Sequence, residues 1–417
     1  MSVRSFKNHT KHKRGTRAFA FFLLLMNVVA SASVSIYIPC MKIMAVDFNT
    51  TNAMLQMSIV MNLIGEFLGR FCSGPLFDTY SNKKIVLYAL TISILGHLGC
   101  SLSNSIGIFL FMRFFQALGS SVIYIASVGI INSDFAEEDK SSIIGILELY
   151  QPVAWILSPF AGGILAEIGS WRWSFAALMI LQIIGLFVFL EYREQPAEKH
   201  VRKFTLKRFF NDYKIVLRNT YFLIYALIPG MFAGGYMIFA SNSPFICSKI
   251  FADNSLDIAM FQAVPLLFYI LGIFVYRAVV RDFGIRPAKW LGTSIYVIFG
   301  VYITLLIAEH TPWTVNHLLA LMCVQCVGSA FLVPVSVLKA IQSTGHTSYV
   351  GAATVVVFRN LIMSLCITVS TRLSESITMV MGSVFMTVAT ALMLITTRRI
   401  MKVRKRRSES KIIEKQS

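Results

Sequence analysis

The sequence is dominated by about twelve apolar runs, each close to the roughly 20 residues that a helix needs to cross the hydrocarbon core of a membrane. Hydrophobic residues make up 56% of the 417 positions and charged residues only 14%. This composition excludes an ordinary soluble enzyme and a disordered chain. We therefore expect an all-α membrane protein with twelve transmembrane helices. The runs lie near 18–39, 54–77, 84–103, 106–131, 141–166, 171–190, 220–246, 257–280, 287–308, 314–338, 347–371 and 377–397.

Lys and Arg are placed unevenly among the connections between these runs. If the N-terminus is cytoplasmic, 31 of the 38 basic residues fall in the tails and connections on that side and four fall on the other side. Such a bias predicts that both tails are cytoplasmic and that the number of crossings is even. The net charge of +18 is then explained by topology, so no nucleic-acid partner is expected.

The one long hydrophilic segment, 191–219, divides the runs into two sets of six, and its second half has the pattern of a basic amphipathic helix on the membrane surface. Two such sets are typical of transporters that arose by internal duplication. The predicted organisation comprises two tails, two pseudo-symmetric halves and a linker. These are a cytoplasmic tail (1–17), an N-terminal six-helix half (18–190), a cytoplasmic linker (191–219), a C-terminal six-helix half (220–397) and a basic cytoplasmic tail (398–417).

Several ionisable residues fall within the apolar runs. Glu66 and Arg70 are four residues apart and share one helix face, while Arg113 and Arg359 lie in two other runs. Charges at such depth are costly, so they usually face a water-filled pathway or a helix interface. An incidental structural pair is the alternative interpretation.

Uncharged polar residues within the runs are candidates for the wall of a cavity. The alternative is that such groups bond to nearby backbone. The candidates are Asn27, Tyr37, Gln116, Tyr236, Gln262, Tyr269 and Gln325. The stretch 232–245 also combines a Gly pair, several Ser and a Pro, which predicts an irregular, kinked helix of the kind found around transporter binding sites.

The fifth run contains Pro152, Pro159, Gly162 and Gly163. Proline bends a helix and frees a carbonyl, and small residues let another helix approach closely. The pattern predicts either a hinge at a moving interface or simply tight packing.

The sequence contains no Gly-x-x-x-x-Gly-Lys-Ser/Thr phosphate loop, metal-ligand cluster or nucleophile arrangement. Of the seven cysteines, Cys323 and Cys326 form a C-x-x-C that no second pair or His cluster accompanies, so we interpret them as packing residues. We expect no cofactor, no metal, no catalytic residue and no direct use of ATP, and hence not an enzyme.

Six short stretches resemble signatures of the major facilitator superfamily and, within it, of the bicyclomycin-resistance (Bcr/CflA) family of drug efflux proteins. They follow in order along the sequence, and the similarity covers nearly the whole chain. They are Tyr37-Ile-Pro39, Gly74-Pro-Leu-Phe-Asp78 with Lys83-Lys84, Arg113-x-x-Gln116-x-x-Gly119, Ser158-Pro159-x-x-Gly162-Gly163, Gly169-x-Trp-Arg-Trp173-x-Phe175 and Ser241-x-Ser243-Pro244-Phe245.

The resemblance implies a monomeric antiporter of the bacterial inner membrane that expels small amphipathic molecules against proton entry, with protons and membrane lipid as its other partners. Spans one, four, seven and ten would line a central cavity, and spans two, five, eight and eleven would form the contact between the halves. Family members usually carry an acid two residues before the Tyr-x-Pro of span one, whereas this chain has Ser35. The usual proton site is therefore missing.

We predict that proton coupling has moved to Glu66, Glu148 or both, with Arg70 and Arg359 as partners and Arg113 beside the cavity. Burial raises the pKa of a carboxyl group and a nearby guanidinium lowers it, so a pair that separates during transport can take up and release a proton. An exporter of an endogenous metabolite such as a siderophore, and an uptake symporter, are the competing functions. A conformational latch is predicted at Gly74, Asp78, Lys83 and Lys84.

Overall fold

The computed structural model describes residues 17–135, 143, 150–192, 206–247, 254–308, 314–344 and 348–372. Within these ranges every regular element is helical, and a short 3-10 turn at Ile38–Cys40 joins the first two helices. The helices are α1 (Arg17–Ser35), α2 (Met41–Asp47), α3 (Asn52–Thr79), α4 (Asn82–Leu102), α5 (Ile106–Ser120), α6 (Val122–Asp134), α7 (Tyr150–Ile168), α8 (Arg172–Glu191), α9 (Leu206–Arg218), α10 (Thr220–Cys247), α11 (Ser255–Phe283), α12 (Ile285–Ala308), α13 (Val315–Gln342) and α14 (Ser348–Ser370).

These helices coincide with the predicted apolar runs. In the described part of the chain, seven segments are long and apolar enough to cross a membrane, and two shorter apolar helices span Val153–Ile168 and Thr354–Ser370. The all-helical class is thus confirmed. The predicted run at 377–397 and the tail at 398–417 lie outside the described residues, as do residues 1–16.

The two ends of the bundle are distinguished by their connections. We call the end that contains residues 48–51, between α2 and α3, the distal end, and the end that contains residues 80–81, between α3 and α4, the proximal end. At the distal end a group of aromatic rings packs edge to face, with Phe109 5.5 Å from Phe175 and 5.9 Å from Trp171. Trp171 also donates a 2.7 Å hydrogen bond to Asp47, which ties the start of α8 to the end of α2.

The two halves meet along two helix pairs, α3 with α14 and α7 with α11. These helices correspond to the predicted second, eleventh, fifth and eighth runs, the set that the resemblance implied. At the distal end Gln56 Nε2 donates to the Ser241 carbonyl at 3.0 Å and to Asn242 Oδ1 at 3.1 Å. A Cβ on Gly163 would lie 3.1 Å from the Ser255 carbonyl oxygen, so α7 and α11 approach closely there. The halves are therefore in direct contact at this end.

The kink predicted at 232–245 stays a prediction, but this stretch does not interrupt the helix: α10 is continuous from Thr220 to Cys247. The reason lies in the carbonyl of Ala240, which has no amide partner because Pro244 lacks an N–H. Gln262 Nε2 on α11 donates to this carbonyl at 3.2 Å, and Ser243 Oγ donates to it at 3.2 Å. Side chains thus replace the missing backbone bond, and the helix continues.

The amphipathic helix predicted in the linker is present as α9. The ring of Tyr213 lies 5.4 Å from that of Phe71 on α3. Val216 is buried in a cluster with Phe222 of α10 and Val355 of α14. Burial raises the pKa of the Tyr213 hydroxyl. The helix therefore contacts both halves at the proximal end.

Candidate functional site

A cavity of about 30 Å³ lies at the contact between the halves. Its wall is formed by α1, α3, α5, α6 and α7 of the N-terminal half and by α14 of the C-terminal half. This volume has room for about two water molecules. Drug-sized ligands occupy pockets of roughly 300–1,000 Å³, so the halves must separate before such a molecule can enter.

Glu66 and Arg70 form an ion pair on the wall of this cavity. Each side chain is only 13% exposed, and the Arg70 guanidinium also lies 5.8 Å from the centroid of the Tyr124 ring. The pairing is what the spacing of four residues predicted. An ionised carboxylate and a guanidinium compensate each other at such a site, whereas either one alone would be costly.

Three uncharged side chains of the cavity wall carry buried nitrogen atoms without a hydrogen-bond partner among the described residues. They are Asn62 Nδ2 on α3, Trp155 Nε1 on α7 and Asn360 Nδ2 on α14. Buried donors are nearly always bonded in proteins, so each of these needs an explanation. One explanation that the geometry allows is that these nitrogens donate to acceptor groups of a bound molecule.

Sequence reasoning did not single out Asn62, Trp155 or Tyr124. Asn62, Glu66 and Arg70 follow one another at intervals of four residues, so a search for polar groups on one helix face would have found Asn62. Trp155 gave no such signal, because aromatic residues are common on lipid-facing and packed helix surfaces alike.

Arg113 is fully buried in a network inside the N-terminal half; it does not itself line the cavity, but it bonds to Ser33, which does. Its Nη1 donates to the Ser33 carbonyl at 2.8 Å and to Gln116 Oε1 at 2.6 Å. The guanidinium lies 4.5 Å from the centroid of the Tyr37 ring. The interactions of Arg113 therefore join α5 to α1.

His97, which sequence reasoning missed, continues this network into α4. Its Nε2 lies 3.0 Å from Gln116 Nε2, and its Nδ1 lies 2.8 Å from the Ser93 carbonyl. The Gln116 carboxamide oxygen accepts from Arg113, so its nitrogen donates to His97 Nε2. The imidazole is thus neutral, with its proton on Nδ1 donated to Ser93. No pattern in the sequence pairs residues 97 and 116 before the helices are packed.

Arg359 lies beside the cavity rather than among its lining residues. Its Nη1 donates to Gln151 Oε1 at 3.0 Å, a bond from α14 to α7 across the two halves. Glu148, the second predicted proton carrier, lies outside the described residues, as does the side chain of Pro152.

Among the predicted cavity residues, Asn27 lines the cavity and donates to Leu23 O and Ser127 Oγ, both at 2.8 Å. Tyr236 stands behind the wall, with its ring stacked on Trp155 at 5.9 Å. The other candidates make structural contacts elsewhere. The Tyr37 hydroxyl is hydrogen-bonded to Ser58 Oγ at 2.6 Å, and Gln325 donates to the Phe232 carbonyl at 3.1 Å. The hydrogen bonds of Gln116 and Gln262 are described above. Tyr269 is partly buried and packs against the main apolar core.

The predicted latch and hinge residues lie where α3 ends and where α7 passes α1 and α11. Lys83 Nζ donates to the Leu190 carbonyl at 2.6 Å, which links the start of α4 to the end of α8. Lys84 is exposed, and the side-chain surroundings of Gly74 and Asp78 lie outside what the structure describes.

The predicted hinge residues lie on α7. Pro159 is inside the helix, Gly162 packs against the Ile36 carbonyl of the α1–α2 connection, and Gly163 packs against α11. The latch and hinge roles stay predictions.

Comparison with known proteins places these features in a family. The sequence profile described as Major Facilitator Superfamily matches residues 23–365. A similar solved structure is that of a peptide transporter, POT, in complex with sulfate, with a TM-score of 0.74 over 94% of this chain and 96% of that chain. At 13% identity this likeness shows the fold alone.

Three relatives illustrate the sequence similarity. The chain is 26% identical to the uncharacterized MFS-type transporter YdgK of Bacillus subtilis over 61% of this chain and 63% of that protein, so the match spans less than two thirds of it. It is 26% identical to the chloramphenicol resistance protein CraA of Acinetobacter baumannii over 76% of this chain and 77% of that protein. It is 27% identical to the multidrug transporter MdfA of Edwardsiella ictaluri over 68% and 70%.

Proposed function

The chain belongs to the Major Facilitator Superfamily, and from this premise we propose that it exports small amphipathic molecules in exchange for protons, with the cavity opening alternately to the two sides of the membrane. The Bcr/CflA type of drug efflux is the branch that its sequence signatures resemble. The names of two relatives, a chloramphenicol resistance protein and a multidrug transporter, support this class of substrate.

One observation carries the proposal: an ion pair, Glu66 with Arg70, lies on the wall of a cavity shared by both halves. A carboxyl group at such a site has two states that matter for transport. The ionised Glu66 carboxylate pairs with the Arg70 guanidinium, and protonation of the carboxylate breaks this ion pair. Binding of a proton therefore changes the charge and the arrangement of the wall next to the substrate.

Exchange follows if substrate and proton exclude each other. A substrate that binds beside the intact pair favours the ionised carboxylate and hence release of the proton. A proton that enters from the other side breaks the pair and weakens substrate binding. The contact between the halves at the distal end, from Gln56 to Ser241, would open and close once in each cycle.

The test is transport by the purified protein in proteoliposomes with an imposed pH gradient, using chloramphenicol as the substrate. We expect chloramphenicol to move against the direction of proton flow and to stop moving when an ionophore abolishes the gradient. Movement in the same direction as protons would make the protein a symporter, and transport that ignores the gradient would contradict proton exchange.

The remaining assignments belong to the same proposal. The protein is a multi-pass membrane protein, and we place it in a bacterial inner membrane with both termini cytoplasmic, acting as a monomer and not as an enzyme. The distribution of basic residues along the sequence supports the orientation.

Export of an endogenous metabolite is the second candidate. The side-chain nitrogens of Asn62, Trp155 and Asn360, which have no partner in the described part of the chain, favour it, because acceptor-rich molecules such as siderophores would satisfy them. Resistance profiles and metabolite release in a deletion strain separate the two: loss of drug resistance supports drug export, and loss of a secreted compound supports metabolite export.

A further inference from the structure

We infer that the cavity recognises a neutral molecule through hydrogen-bond acceptors such as carbonyl or nitro oxygens, and that it disfavours organic cations. The inference rests on the proposed transport function and names the class of substrate.

The first step concerns the unpartnered donors on the wall. Asn62 is 1% exposed and Asn360 is 2% exposed, and the side-chain nitrogen of each has no partner among the described residues. Trp155 contributes an indole N–H in the same situation, and an indole can only donate. A buried donor without an acceptor destabilises the structure that holds it. A ligand that supplies acceptor oxygens removes this cost.

The second step concerns charge. Glu66 and Arg70 are the charged side chains that line the cavity in the described structure, and they neutralise each other. An organic cation would have to take Glu66 away from Arg70 and leave a guanidinium in a membrane-embedded site. Breaking such a pair is strongly unfavourable. A neutral acceptor-bearing molecule leaves the pair intact.

The third step concerns the apolar part of the wall. Leu63, Val34 and Met363 line the cavity, and the stacked rings of Trp155 and Tyr236 bound it on one side. An apolar or aromatic body would pack here while its oxygens meet the donors. Polar groups fix orientation and apolar surface supplies affinity in most small-molecule sites.

The donors also come from both halves. Asn62 belongs to α3 and Trp155 to α7 of the N-terminal half, whereas Asn360 belongs to α14 of the C-terminal half. A molecule that accepts from Asn62 and Asn360 together bridges the halves, so it binds when they have separated enough to admit it and still stand close enough for both donors to reach it.

The experiment measures equilibrium binding to the purified full-length protein at one pH and without a gradient. The probes are chloramphenicol, a neutral molecule with amide and nitro oxygens, and tetraphenylphosphonium, an apolar cation. We expect wild-type protein to bind chloramphenicol more tightly. Equal or tighter binding of tetraphenylphosphonium, or no measurable chloramphenicol binding, would overturn the inference.

Two isosteric variants, Asn62→Asp and Asn360→Asp, replace donors by acceptors and add negative charge. Each is expected to weaken chloramphenicol binding about tenfold, the effect of one lost hydrogen bond at a buried site, and to strengthen tetraphenylphosphonium binding. The matched control is Asn316→Asp, an exposed asparagine at the start of α13, which should change neither affinity. Unchanged affinities in both cavity variants would refute the inference.

Trp155→Phe provides a check if an Asp variant fails to fold. It keeps an aromatic ring against Tyr236 and removes the indole N–H together with part of the ring system. We expect weaker chloramphenicol binding by a protein that still folds, and full binding would count against the inference. These binding measurements need no pH gradient, so they test the inference independently of the proposed proton exchange. Transport that does not depend on the pH gradient, together with the expected binding preference, would contradict only the proposed function.

Discussion

Arg359 on α14 donates a 3.0 Å hydrogen bond from Nη1 to Oε1 of Gln151 on α7, and this bond joins the two halves next to the cavity. A bond with an ionised donor is already stronger than one between neutral groups, and a carboxylate acceptor would add the attraction of opposite charges. The bond thus links the two halves in the described conformation.

Gln151→Glu should therefore stabilise the described conformation and slow transport. The variant replaces a neutral acceptor by a carboxylate facing Arg359, at nearly constant size. We expect a higher melting temperature in detergent and a lower rate of substrate exchange. Gln151→Leu, which removes the bond, serves as the opposite change and should lower the melting temperature. A Glu variant that transports faster than wild type would show that this contact does not limit the motion.

Replacement of either predicted proton carrier by its amide should abolish gradient-driven transport. Glu66→Gln keeps the size of the side chain and removes the proton site, and Glu148→Gln tests the carrier that lies outside the described residues. Glu191→Gln, an exposed carboxylate at the end of α8, is the control and should transport normally. Transport in proteoliposomes measures the effect. Full gradient-driven transport by both amide variants would reject the assignment.

Arg113→Lys should destabilise the N-terminal half. An ammonium group lacks the planar fork that reaches both the Ser33 carbonyl and Gln116 Oε1, so one buried acceptor loses its partner. We expect a loss of about 1–3 kcal/mol in the free energy of unfolding. Chemical unfolding in detergent measures this loss, and a Lys variant as stable as wild type would show that the network adds little.

Gly163→Val should keep the distal ends of α7 and α11 apart, because even a Cβ there lies 3.1 Å from the Ser255 carbonyl. Gly107→Val places the same side chain on α5 where nothing lies within 4 Å, and it should leave the distances unchanged. Spin labels on α7 and α11 would report the separation. A wild-type distance distribution in Gly163→Val would contradict the close approach seen here.

The fold followed from the sequence because apolar runs of this length have one stable solution in a membrane, a bundle of helices. The pairing of Glu66 with Arg70 also followed, since both lie on one helix and their spacing fixes their distance. Contacts between distant segments did not follow. The stack of Trp155 on Tyr236 and the bond between His97 and Gln116 depend on how helices pack, and intramembrane polar residues do not reveal their partners.

Gln262 shows why the polar residues of the spans were hard to assign. Its position in an apolar run suggested that it lines a cavity, but its side chain donates to the Ala240 carbonyl, which has no backbone partner because Pro244 lacks an N–H. A polar group that completes a neighbouring helix and one that faces a substrate look alike in the sequence. Only the packing of α10 against α11 distinguishes them.

The most direct test of the central claim is the number of protons released when chloramphenicol binds to the purified protein in weakly buffered solution. If substrate favours the ionised Glu66 beside Arg70, binding should release protons from wild-type protein in a series of measurements at different pH, and Glu66→Gln should release none while still binding. Binding to wild-type protein without proton release at any pH, or equal release from Glu66→Gln, would contradict the account.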